Sequence, residues 1–191
     1  MKIKEIGINF KPSKGSVLIG EPFMTDLNFR KSLVLICEHE SEGSVGFVLN
    51  KPMNLMCSEL VPEILDHDFP LFYGGPIEEN SLHFIHRLGN LIEDSIEISN
   101  GIYWGGSIEQ VNVLFEKGLA KETDFKFFIG YSGWGPNQLE IEIEQKAWWT
   151  IPSNPEIVFD SESDELWENQ VKELGEDFAY LANSPEDYLW N

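Results

Sequence analysis

The chain has 191 residues, enough for one domain that buries roughly 70% of its unfolded surface without a disulfide or metal staple. Hydrophobic residues make up 42% and aromatics 13%, a balance that excludes intrinsic disorder. Thirteen Lys and Arg against 33 Asp and Glu leave a net charge of −20, which repels phosphate backbones and argues against direct nucleic-acid binding. Residues 16–20 (SVLIG) and 32–38 (SLVLICE) read as short apolar strands covered on both faces. Between them Pro22, Asp26 and Asn28 mark a loop over residues 21–31. Residues 44–50 form another strand, with Val45, Phe47 and Leu49 on one face and Gly46, Val48 and Asn50 on the other. Residues 38–43 then make a polar hairpin connection.

Ser58 caps a short helix over residues 58–65, which Pro62 limits to one or two turns. Strands over 69–73 and 82–87 flank the turn Gly74-Gly75-Pro76, and strands over 95–99 and 102–104 are joined by Asn100-Gly101, a strong hairpin signal. Ser107 and Gln110 fit a capping box for a helix whose Ile108, Val111, Leu114 and Phe115 recur at helical spacing, with Gly118 at its end. Residues 125–131 are a dense aromatic strand. Residues 137–145 satisfy two patterns: Leu139, Ile141 and Ile143 alternate as in a strand, while Asn137 and Glu140 fit a capping box. Residues 148–151 and 156–159 read as strands. Residues 163–174 read as an acidic amphipathic helix with Leu166, Trp167, Val171 and Leu174 on its apolar side. Strands and helices mix without regular βαβ alternation, which favours α+β over a doubly wound sheet.

The chemistry-bearing residues are sparse. Gly130-Tyr131-Ser132-Gly133-Trp134 resembles a hydrolase elbow, but that turn needs a glycine two residues after the serine, and Trp134 stands there. His39, His67, His83 and His86 are the possible bases, and nothing in the sequence places one beside Ser132. His83 and His86 are spaced H-x-x-H. On a strand that odd separation sends them to opposite faces, leaving His86 with Leu82, Phe84 and Leu88 as an interior histidine. With no third ligand at a useful spacing, no metal is expected. Neither a P-loop nor a dinucleotide fingerprint occurs, and no cofactor is expected. Gly74 and Gly75 offer backbone N–H groups as an anion nest, although Pro76 removes the next donor. Tyr131, Trp134, Trp148 and Trp149 read first as core aromatics with a polar handle and second as pocket walls. Cys37 and Cys57 form no C-x-x-C pair, and Cys37 lies in an apolar run as a small hydrophobe. Reduced cysteines, an N-terminal stretch without an apolar signal core and the lack of an apolar run near ~20 residues give the expectation of a cytoplasmic protein with no membrane span.

Several motifs in order give the chain a family likeness: GSVLI over 15–19 with Pro22, FRKSLVL over 29–35 with Glu38-His39, GFVLNKP over 46–52, Tyr73-Gly74-Gly75-Pro76, residues 82–86, and Gly130 to Trp134 with Gln138-Leu139-Glu140. Together they resemble the YqgE/AlgH family of bacterial proteins from about residue 15 to 175. The resemblance implies one α+β domain over 1–191, built on a small closed β-barrel-like mixed sheet surrounded by helices, with an acidic helix and tail over 156–191. It also implies that 137–146 is helical and that the place of Ser132 is commonly alanine. It supplies no catalytic set, DNA-reading element, metal or cofactor, although members are often labelled transcriptional regulators. The function expected is therefore that of a non-enzymatic binding or regulatory protein acting through a protein partner or small ligand. A regulator that works indirectly rather than on DNA, and a hydrolase or transferase using Ser132, are the alternatives. The candidate ligand cluster is Asn50, Gly74, Gly75, His86, Gly130, Tyr131, Ser132, Trp134 and Gln138. Oligomeric state is not legible in these residues.

Overall fold

A computed structural model describes residues 11–60, 67–159 and 165–184. The apolar runs become strands where both faces find partners. β1 (Ser16–Gly20) and β2 (Leu33–Glu40) pair antiparallel, with β3 (Gly43–Val48) following β2 through a tight hairpin. Val17, Ile19, Leu33 and Leu35 enter one core cluster, while Leu18, Val34 and Ile36 enter another on the opposite face. That is why these strands are apolar without alternation. Phe47 and Leu49 join the first cluster and Val48 the second, the division of faces the alternation predicts.

β4 (Pro52–Met56) pairs with β5 (Pro70–Tyr73), and α1 (Cys57–Leu60) starts between them. The predicted remainder of that helix, 61–65, lies outside the described residues. β6 (Ile77–His86) is followed by the hairpin of β7 (Ile96–Ser99) and β8 (Ile102–Trp104). Asn100 and Gly101 carry φ of 50° and 79° at its turn, the pair of left-handed residues a type I′ turn needs. After α2 (Ile108–Glu116) comes β9 (Phe125–Trp134), which is shared among three neighbouring strands. It pairs with β6 along one side, parallel with β5 for its first half, and antiparallel with β3 for its second. β10 (Trp148–Pro152) returns to β1.

The path β10-β1-β2-β3-β9-β6-β8-β7 is therefore a curled, mostly antiparallel sheet with one parallel pair. Among the described residues the backbone ladder does not close into a barrel. Its two end strands, β10 and β7, meet at a corner where the Ser99 and Ser153 hydroxyls stand 3.1 Å apart. Helices cover the curl. α2 lays Val111 and Leu114 on the cluster that holds Phe69, Phe125 and Phe127. α4 (Pro155–Phe159) and α5 (Leu166–Glu173) pack on the largest cluster, as predicted for Leu166, Trp167, Val171 and Leu174, and Trp167 Nε1 donates to the Gly20 carbonyl at 2.9 Å. A short α6 (Glu176–Ala179) follows.

Two local expectations need correcting, and the choice left open over 137–145 is resolved as the helix the resemblance implied. Residues 156–159 are helical. Asn154 Oδ1 accepts the Ile157 N–H at 2.8 Å and Pro155 occupies the first turn, so an N-cap and a proline start a helix where β-branched residues suggested a strand. Residues 138–144 form α3 (Gln138–Glu144), with Leu139 buried, Ile143 packed beside it four residues on, and Ile141 51% exposed. The alternation there is accidental. Neither proposed capping box exists: Asn137 has φ 59° and makes no cap bond, and Ser107 Oγ donates instead to Glu109 while Gln110 Oε1 accepts the Glu93 N–H.

Candidate functional site

The nine residues singled out from the sequence separate into four places. Gly74, Gly75, Gly130, Tyr131 and Ser132 meet where β5 hands its edge of β9 over to β3. The Gly74 N–H donates to the Ile129 carbonyl at 2.8 Å, and the Gly74 carbonyl accepts from Val48 N–H at 3.0 Å and Ser132 Oγ at 2.9 Å. The backbones approach so closely that a Cβ on Gly75 would lie 2.3 Å from the Tyr131 carbonyl oxygen. One on Gly130, whose φ is 69°, would lie 2.5 Å from that of Gly75. Glycine is required here by close approach and, at Gly130, by left-handed backbone.

Ser132 is fully buried in mid-strand, opposite Gly46, and β9 runs on to Trp134. A nucleophile elbow needs its serine at the apex of a strand-to-helix turn. Here the hydroxyl proton is spent on a carbonyl. His86 pairs with Phe125, seven residues along the same strand and therefore about 23 Å away at the strand's rise per residue. His83 pairs with Phe128, about 13 Å away on the same measure. His39 Nδ1 is engaged by Ser44 Oγ at 2.7 Å.

Trp134 and Gln138 belong to a second place, organised by a residue the sequence reading passed over. Glu142 Oε2 accepts both the Trp134 indole N–H at 2.9 Å and the Trp148 indole N–H at 2.8 Å, and its Oε1 accepts from Gln138 Nε2 at 2.9 Å. Phe29 packs against both indoles. Gln138 Oε1 in turn accepts the Gly135 N–H, closing the corner between β9 and α3. Glu142 draws its indole partners from two other elements, β9 and β10.

Asn50 forms the third. Its Oδ1 accepts the Leu33 N–H at 2.8 Å and its Nδ2 donates to the Lys31 carbonyl at 2.9 Å. Next to it Lys51 Nζ donates to the carbonyls of Leu27 and Asn28, and Tyr73 Oη donates to Asn28 Oδ1. These side chains tie the 21–31 loop to the sheet. Burial holds the Lys51 ammonium below its ordinary range, the Asp26 carboxylate opposing this.

His86 is the fourth, fully buried on the α2 side of the sheet. Its Nε2 donates to the Gly105 carbonyl at 3.2 Å and its Nδ1 accepts the Leu88 N–H at 3.2 Å, which fixes the neutral tautomer. Burial pushes its pKa down, only partly offset by the Gly105 bond. His83 faces the other way, against Phe47, Trp104 and Tyr131. Among the described residues no group of three or more His, Cys, Asp or Glu is placed to hold a metal ion. Burial raises both thiols, Cys57 to about 12, so neither offers a thiolate near neutrality.

A separate groove of about 600 Å³ lies between the 21–31 loop and α6. Phe23, Met24, Trp149, Phe178 and Tyr180 line it, together with the charged side chains Glu21, Lys146 and Asp177. Phe23 is 48% and Tyr180 71% exposed.

Residues 17–179, which contain all four places and most of the groove, match the AlgH-like family model. The chain belongs to the AlgH-like family. A UPF0301 protein of Chlorobaculum tepidum is 38% identical over 172 residues, 90% of this chain and 92% of that one. A UPF0301 protein of Cytophaga hutchinsonii is 38% identical over 176 residues, covering 92% and 97%. Among solved structures, the AlgH protein of Pseudomonas aeruginosa superposes with a TM-score of 0.69 at 27% identity, covering 92% of this chain and 98% of its own. Protein DIP2367 of Corynebacterium diphtheriae superposes with a TM-score of 0.77 at 21% identity, covering 92% and 94%, a likeness of fold. AlgH-like chains thus share the curled sheet and its helical cover.

Proposed function

We propose that this AlgH-like chain is a non-enzymatic binding protein that docks a protein partner in the groove between the 21–31 loop and α6. The observation that carries this reading is the disposition of the polar groups. Ser132, His86, Asn50 and Gln138 each spend their hydrogen bonds on the fold, whereas large aromatic surface is left exposed in a groove that also holds Glu21 and Asp177. Aromatic anchors edged by charge are the usual composition of a protein-binding surface. Two carboxylates, Glu21 and Asp177, outweigh the single Lys146 in the groove, and with the net charge of −20 they select a partner segment with an apolar anchor flanked by Lys or Arg. A regulatory role through such a partner is compatible with this reading.

The test is capture with a photocrosslinking residue at position 180, comparing the otherwise native chain with Phe23→Glu. The reading expects one partner to crosslink reproducibly and Phe23→Glu to abolish it while thermal stability is kept. If no partner recurs, or the substitution leaves capture unchanged, the groove is not the docking surface.

A further inference from the structure

The two end strands of the sheet meet without pairing, and the corner where they meet is built almost entirely of hydrogen-bond donors. Ser99 ends β7 and Ser153 follows β10; their hydroxyls are 3.1 Å apart. Beside them Ser13 and Ser16 form a second hydroxyl pair, also at 3.1 Å, in which Ser16 Oγ already accepts the Ser13 N–H. Gly15 joins the two pairs. Its φ is 84°, its carbonyl accepts the Ser153 N–H, and a Cβ there would lie 2.5 Å from Ser99 Cβ.

Each hydroxyl pair holds two protons and uses one internally, whichever serine donates. One O–H per pair is left over, and no protein acceptor takes it among the described residues. Asn100 adds its amide, which makes only a 3.4 Å contact to the Ser153 carbonyl. A cavity of about 280 Å³ opens on this corner, and its remaining polar walls are Lys11 and Lys14. Among the described residues no carboxylate lines it. That sets it apart in a chain with 33 acids and 13 bases, because each of the other described clefts carries at least one Asp or Glu.

Two exposed ammonium groups, two hydroxyl protons not used within the pairs and the Asn100 amide N–H groups converge on one cavity. We infer that this seam binds a small phosphorylated ligand, its phosphate held between Lys11 and Lys14 and the serine pairs. A phosphate group carries close to two negative charges and three strong acceptor oxygens, whereas a carboxylate has two oxygens. Five donors spread over two strand ends suit the former. Lys is an established phosphate binder as a point charge, and the serines and Asn100 supply the direction that an ammonium lacks. The bound group bridges β7 to the segment before β1, so it also closes the sheet where the backbone ladder stops. This site shares no residue with the aromatic groove and stands or falls independently of it.

The experiment is a titration of the full chain with inorganic phosphate at constant ionic strength, followed by amide chemical shifts, with acetate and chloride as parallel titrants. Phosphate is expected to shift the amides of residues 13–16, 99–100 and 153 in a saturable way, and acetate to bind more weakly. Lys14→Gln, an exposed position, is expected to weaken phosphate about tenfold, the loss typical of one charge-assisted hydrogen bond, without changing the melting temperature in chloride. Ser99→Ala keeps both charges and is expected to weaken phosphate as well. Shifts scattered over the surface, acetate binding as tightly as phosphate, or affinity indifferent to both substitutions would each overturn the assignment.

Discussion

Ser132 and Gly130 are neighbours in one motif and do different things. The Ser132 hydroxyl satisfies a carbonyl that already has a second donor in Val48 N–H, so removing it leaves no orphaned acceptor. Ser132→Ala should cost about 1 kcal/mol. Gly130 sits at φ 69° with its neighbour's carbonyl in the space a methyl would need, so Gly130→Ala combines left-handed strain with a backbone clash. It should cost about 3 kcal/mol. Urea unfolding of the two variants decides it; a serine substitution costlier than the glycine one would contradict the close-approach account. The requirement for glycine here comes from strand crossing, since residues 75 and 130 touch across 55 positions of sequence. Only the clustering of glycines beside turn signals was readable in advance.

At the scale of elements, α4 carries the clearest lesson. Ile157, Val158 and Phe159 have strand propensity, yet Asn154 and Pro155 precede them with the chemistry of a helix start. From the helical backbone all three apolar side chains are buried in the main cluster, so packing there does not oppose the cap. Asn154→Ala should therefore destabilise by about 1 kcal/mol, the usual worth of an N-cap. A melting temperature unchanged by that substitution would show that packing alone holds α4. α3 is the converse case. Its sequence fitted strand and helix equally, and in the helix Glu142 reaches Trp134 on β9 and Trp148 on β10, bonds that tie α3 to both strands. No pattern internal to residues 137–145 contains those two partners.

For the whole molecule the net charge of −20 is the dominant long-range term. Acidic side chains facing solvent repel one another in the compact state more than in the unfolded chain. Salt shortens the reach of that repulsion to about 10 Å at 0.1 M. Raising sodium chloride from low ionic strength should lift the melting temperature by roughly 3 °C, equivalent to about 1 kcal/mol for a domain of this size. A flat or falling response in differential scanning fluorimetry would mean that specific ion pairs, not net repulsion, govern stability. The same field makes the lysine-lined seam a local exception, and makes a basic partner easier to attract than an acidic one.

The sequence by itself determined most of the extended segments, 156–159 excepted, and which of them are buried. Residues 17–19, 33–37 and 127–129 are apolar on consecutive positions because both faces of each strand are covered, and Asn100-Gly101 turns the chain because those residues tolerate left-handed backbone. The interior position of His86 and the α+β class followed from the same periodicities. Tertiary structure alone decided which polar groups are spent and which are left available. Ser132 meets Gly74 across 58 positions, Ser99 meets Ser153 across 54, and Phe23 shares a groove with Tyr180. Periodicity reports which face of a strand or helix is buried, but the partner of a hydrogen bond is set by strand order and register, and these are fixed by the packing of the entire sheet.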